Sequence, residues 1–167
     1  MAVGRETLYQ LLAHLEDAFL LQVVPIATDS EKRRQVNPRK VYPVDPAIGP
    51  VFDRSRKQNL GHALEVAVHN ELARRGAETA YVKTAEGREV DFLSRNADGS
   101  QWLIQVTADI DDPDTREREC RALQAAAQSM PADRQIILTA ESRLPTPSVP
   151  APIEVVPAWM WMLQPEG

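Results

Sequence analysis

The chain has 167 residues, with 19 Lys and Arg against 24 Asp and Glu and a formal net charge of -5. That length suits one domain, or one domain with an appendage, and can bury a core without disulfides. The acidic balance argues against a dedicated high-affinity nucleic-acid binder, which is usually basic, although basic patches can still sit on an acidic body. The single Cys120 cannot form an internal bridge, no Cys/His cluster has zinc spacing, and no apolar run spans a membrane, so a cytoplasmic setting is expected. There is no Walker A motif, dinucleotide loop or nucleophile elbow, so this chain by itself is not expected to hydrolyse a nucleotide.

In chain order, Leu8, Leu11, Leu12 and Leu15 predict an amphipathic helix over 5–18. Phe19 to Pro25 reads as a short strand, 29–37 as a charged turn or wing, and 40–44 as a second strand. Together they predict a helix plus β-hairpin, a winged-helix-like remnant over 1–51. Pro46 and Pro50 mark a connector near 45–55. A second helix is expected over 58–75, with Leu60, Leu64, Val68 and Leu72 on its apolar side and Gly76 as its stop. Strands follow over 79–84, 88–95 and 101–109, with turns at Glu86-Gly87 and Asp98-Gly99. A helix over 115–129, a buried strand over 134–139, a proline-rich loop over 141–152, a strand over 153–156 and a short helix carrying Trp159 and Trp161 complete the pattern. Helix, three strands, helix, strand, strand, helix predicts an α/β domain over 52–167, a mixed sheet flanked by helices.

The segments 88–93 and 102–107, with Glu65 upstream on a helix, carry the chemistry. Residues two apart on a strand share a face, so Glu89 and Asp91 are expected together, as are Gln105 and Thr107, with Val90, Phe92, Ile104 and Val106 facing the core. Magnesium takes hard oxygen ligands, polarises a phosphate and helps generate hydroxide, and a neighbouring lysine steadies developing charge. The order resembles that of a PD-(D/E)XK nuclease site, with Gln105 where that pattern has an acid and Thr107 where it has a lysine. The same alternation describes any half-buried strand, and taken alone Glu89 and Asp91 fit a solvated face more often than a metal site.

His62, Glu65 and His69 share one helical face, which fits a metal triplet or, more commonly, a solvated face. Lys32, Arg33, Arg34, Arg39 and Lys40 form a basic cluster in the wing, joined by Arg54, Arg56 and Lys57, which fits phosphate contact or plain solvation. Arg116 to Arg121 reads as a structural mixed-charge helix face, with Glu117 and Arg121 as an i, i+4 pair. Trp159 and Trp161 are expected to pack on the sheet.

Several stretches resemble the uncharacterised C-terminal domain of many bacterial and archaeal AAA-type ATPases, itself similar to PD-(D/E)XK nucleases. They are Leu15-Glu16-Asp17-Ala18-Phe19-Leu20, Asn37-Pro38-Arg39-Lys40-Val41-Tyr42 with Asp45, Asn59-Leu60-Gly61 with Leu64-Glu65, and Glu71-Leu72 with Arg74-Arg75-Gly76. Glu89-Val90-Asp91-Phe92, Ile104-Gln105-Val106, Thr115 to Glu119 and Val156-Pro157 with Trp159-Met160-Trp161 continue the match over nearly the whole chain. The resemblance implies a restriction-endonuclease-like fold, with Glu65, Asp91 and Gln105 at the metal-ligand positions and Thr107 at the lysine position. Gln105 offers an oxygen without charge, a loss worth roughly 4 kcal/mol of Coulomb attraction at ~4 Å before desolvation offsets it. Thr107 supplies no cation.

The expectation is therefore a catalytically degenerate nuclease-like module of an AAA-type ATPase system, serving DNA contact or scaffolding, with weak or no magnesium binding. The ATPase itself is expected outside this sequence. One alternative is an active magnesium-dependent endonuclease in which Glu65 and Asp91 bind metal and Glu89 supplies the missing acid. The other is an interaction module, with homodimerisation through the tryptophan end or the first helix.

Overall fold

The structure is a computed structural model that describes residues 4–49, 59–141 and 147–164. Helix α1 (Arg5–Asp17) ends where Phe19 takes a positive φ of 56° and the Leu20 N–H returns to the Leu15 carbonyl, a left-handed stop to the helix. The strand expected from Phe19 therefore begins later, as β1 (Leu21–Val24), which pairs antiparallel with β2 (Lys40–Pro43). The segment between them is not an irregular wing. It holds a short helix, α2 (Glu31–Val36), because the Ser30 hydroxyl caps the Arg33 N–H and Glu31 and Arg34 suit the two helix ends.

The main body follows the expected order. Helix α3 (Leu60–Arg74) starts at the Asn59 side chain, which accepts from the His62 N–H, and is followed by Gly76 at φ 70°. Then come β3 (Glu78–Lys83), β4 (Glu89–Arg95), β5 (Gln101–Thr107), α4 (Pro113–Ala127), β6 (Arg134–Thr139), β7 (Ile153–Pro157) and α5 (Ala158–Leu163). Asp112 caps α4 through the Thr115 N–H, and Pro113 sits in the first turn, where its missing N–H costs nothing. The sheet runs in sequence order β3-β4-β5-β6-β7, and only β4 opposes the other strands.

Apolar residues fill both sides of the sheet. One core joins Val66, Val68 and Leu72 of α3 to Phe92, Ile104, Ile136, Leu138 and Trp161. The other joins Cys120, Leu123 and Ala126 of α4 to Leu93, Leu103, Ile137 and Ile153. Adjacent residues such as Ile136 and Ile137 enter opposite cores, as strand alternation requires. Burial of this apolar area, at about 25 cal/mol per Å² removed from water, is the main favourable term holding the layers together.

The N-terminal hairpin belongs to the first core. Val24 and Tyr42 are buried within it, and the Tyr81 hydroxyl of β3 donates to the Pro38 carbonyl. The expected division near residue 51 and the basic residues Arg54, Arg56 and Lys57 lie outside the described residues. Of the two tryptophans expected to pack, Trp161 is buried (1% exposed) under the Arg75 guanidinium, while Trp159 is 49% exposed because it lies on the outer side of α5. No helix among the described residues is long and apolar enough to cross a membrane.

Candidate functional site

The site arises where β4 and β5 part. Their ladder pairs Arg95 through Phe92 with Gln101 through Ile104 and stops there. On its other edge β4 carries an irregularity: Leu93 opposes Ala80 but Val90 opposes Val82, so β4 holds one extra residue. The consequence corrects the simple alternation. Phe92 and Ile104 face one core, with Val106 against it, but Val90 falls into the other core. Asp91 is left at the split.

Side chains take over the hydrogen bonding at this point. The Asp91 N–H donates to Gln105 Oε1 at 3.2 Å, and the Val106 N–H donates to Asp91 Oδ2 at 3.0 Å. The other Asp91 oxygen accepts from Lys40 Nζ at 2.8 Å. The same ammonium lies 2.9 Å from Glu65 Oε1 and 3.0 Å from Glu89 Oε1. The Tyr42 hydroxyl donates to Glu65 at 2.5 Å. Lys40 and Tyr42, two residues apart on β2, thus reach the same carboxylate. Behind Gln105 stands Glu119 of α4, only 4% exposed, which accepts from Gln105 Nε2 at 2.6 Å and from Arg118 Nε at 3.0 Å.

All five residues expected from the sequence, Glu65, Glu89, Asp91, Gln105 and Thr107, line one cleft of about 640 Å³. His62, Arg88 and Arg118 also line it. Thr107 is buried, and its hydroxyl donates to the Asp109 carbonyl at 3.4 Å. His69 leaves the proposed His62–Glu65–His69 grouping: it is buried, stacked on Tyr42 at 4.6 Å between ring centroids, with Nε2 3.4 Å from Thr79 Oγ1.

The electrostatics follow from burial and charge count. Burial works against the Lys40 charge, but Asp91 and Glu65 outweigh it and hold the ammonium above its ordinary range. The Asp91 carboxyl is pushed up to about 6, first by burial and then by the Glu65 charge, against the opposing pull of Lys40 and the Val106 N–H. Burial, then Glu65, raises the Tyr42 hydroxyl, which stays a neutral donor.

The residues as they stand do not fit the magnesium ion that the resemblance implies. Lys40 occupies the point shared by the three carboxylates. Gln105 Oε1 is committed to a backbone N–H, and Glu119 to Gln105 and Arg118. Among the described residues no group of three or more His, Cys, Asp or Glu side chains is placed to hold a metal ion.

Sequence reasoning missed Lys40, Tyr42 and Glu119 as parts of this site. Lys40 reads as a member of a basic wing and Tyr42 as part of the second strand, yet both lie in the Asn37–Tyr42 stretch that carries part of the resemblance. Glu119 looked like one charge on a mixed-charge helix. Its signal was its place four residues before Leu123, on the stripe that α4 buries. No family model, curated protein or solved structure matches the chain.

Proposed function

We propose that this chain is a restriction-endonuclease-like module without metal-dependent catalysis, which contacts DNA or scaffolds an AAA-type ATPase system in the cytoplasm. The observation that carries this reading is the meeting of Glu65, Asp91, Gln105 and Thr107, from α3, β4 and β5, in one cleft. The helix, three-strand, helix, strand order supports it too. Chemistry supports the absence of catalysis in this reading: Gln105 adds no charge, its carbonyl accepts the Asp91 N–H, and the Lys40 ammonium stands between Glu65, Glu89 and Asp91 where a metal ion would be needed. Arg88 in the cleft and the exposed Lys32, Arg33 and Arg34 on α2 offer charge to phosphates.

The test is a plasmid-cleavage assay with Mg²⁺ and Mn²⁺ alongside fluorescence anisotropy of a labelled duplex. No cleavage is expected, with binding that weakens as salt rises and weakens again in Arg88→Ala. Metal-dependent cleavage that disappears in Asp91→Ala would overturn the reading in favour of an active endonuclease.

A specific observation favours a second reading as an interaction module. Leu8, Leu11 and Leu15 on α1 are exposed, as is Phe19 just after it, so a whole apolar stripe lacks cover within the described residues. Sedimentation of the wild type and of Leu11→Glu separates the cases: a dimer dispersed by Leu11→Glu supports it, and a monomer in both counts against homodimerisation.

A further inference from the structure

We propose that Lys40 is the built-in cation of this cleft: its ammonium stands where a divalent ion would bridge Glu65, Glu89 and Asp91, and its removal converts those acids into a divalent-cation site. The inference rests on the reading of the cleft as a nuclease-like site.

An ammonium has three N–H donors and no acceptor. Lys40 Nζ donates to Glu65 at 2.9 Å and to Asp91 at 2.8 Å, and forms an ion pair with Glu89 at 3.0 Å. These carboxylates come from two different elements, α3 and β4, so the lysine ties together parts that would otherwise repel. This differs from an exposed ion pair, which contributes little. The side chains of Lys40 and Glu65 are each 20% exposed and that of Asp91 is 13% exposed.

The position is also held in advance. Lys40 pairs with Val24 on β1, and two residues along the strand Tyr42 is locked into the core against His69 and Phe92. The lysine therefore reaches the acids at a high effective concentration, as a tethered ligand does. A hard divalent ion seeks the same carboxylate oxygens and must displace it. Without Lys40 the three acids face one another with no counter-charge from the hairpin, and an ion that binds only the folded state restores stability by mass action.

The experiment is thermal melting and Mn²⁺ calorimetry of the whole chain as wild type, Lys40→Met, and Lys40→Met with Asp91→Asn. Wild-type melting is expected to ignore millimolar Mg²⁺ or Mn²⁺. Lys40→Met is expected to melt about 5 °C lower or more. Mn²⁺ should recover most of that loss, with binding at least about tenfold tighter than to wild type. Adding Asp91→Asn should abolish the Mn²⁺ response. Where Lys40→Met alone does not fold, the titration is read in Lys40→Met with Glu89→Gln, which drops the most exposed acid and keeps Glu65 and Asp91. A folded Lys40 variant that ignores Mn²⁺ overturns the assignment, while a non-cleaving wild type leaves the functional reading intact. A wild type that Mn²⁺ stabilises through Asp91 overturns the assignment, and metal-dependent cleavage by that protein overturns the functional reading with it.

Discussion

Asp91 donates its backbone N–H to the Gln105 side chain across the gap where their strands part. The Gln105 carbonyl accepts the Asp91 N–H, and an Asp91 oxygen accepts the N–H of Val106, the residue after Gln105. Side chains thereby replace a backbone ladder that ends at Phe92. A buried N–H without a partner costs about 1–3 kcal/mol, so the pair makes the opening between β4 and β5 tolerable. It also fixes which way the Gln105 amide points, with its NH₂ toward Glu119.

Placing an acid at position 105 should therefore harm the protein. Gln105→Glu puts a second carboxylate against Glu119 in place of a 2.6 Å donor. The expected loss is roughly 2 kcal/mol, from the broken charge-assisted bond and the new repulsion. Gln105→Glu combined with Glu119→Gln reverses the roles of the two side chains and should recover most of it. Urea unfolding of both single variants and the double variant measures the coupling. Simple additivity of the two changes would show that the contact is not the cause.

Tyr42→Phe removes the hydroxyl that donates to Glu65 at 2.5 Å while keeping the ring stacked on His69. A hydrogen bond to a charged acceptor contributes about 1.5–3 kcal/mol. A loss in that range by chemical denaturation is expected. A variant as stable as wild type would mean that Lys40 alone satisfies Glu65.

Asp91 and His69 should oppose each other in mild acid. The Asp91 carboxyl sits at about 6 in the fold against an ordinary 3.8, so the folded state holds a proton that the unfolded chain has released. Its stabilising contribution is present below about pH 4 and is lost as pH rises through about 6. Burial lowers His69 to about 4 from 6.5, so its contribution is complete above pH 6.5 and is lost as pH falls toward 4. Each is worth about 3 kcal/mol at most. Urea midpoints at about pH 7 and about pH 4.5 should change little for wild type, fall with acid in Asp91→Asn and rise with acid in His69→Phe. Parallel behaviour of all three proteins would refute the opposition.

The two neighbouring tryptophans should behave differently. Trp161→Ala empties a fully buried position beneath Arg75, which also donates to the Trp161 carbonyl at 2.8 Å, and should cost about 3–5 kcal/mol. Trp159→Ala removes a half-exposed side chain and should cost under ~1 kcal/mol. Denaturation curves followed by circular dichroism distinguish them, and equal losses would place Trp159 in the core as well.

Local pattern determined much of this protein. Helical and alternating periodicities placed α1, α3, α4 and the strands to within a few residues, because α3, α4 and the strands bury apolar residues against the core with their own period and α1 carries a helical apolar stripe, although it leaves that stripe exposed. The sequence also named Glu65, Glu89, Asp91, Gln105 and Thr107, which share a cleft because strand and helix spacing bring each group to a defined edge. It misplaced what depends on partners distant in the chain. Helix α2 was hidden because a short polar helix buries no residue and leaves no apolar stripe to read. The extra residue in β4 was hidden because a strand irregularity is set by pairing with its neighbours, and it sent Val90 and Phe92 to opposite cores. Above all, only the tertiary structure could bring Lys40 to Asp91 across 51 residues of chain. The hairpin docks through Tyr42 and Val24, whose burial outweighs the cost of closing that loop, and the cation arrives with it.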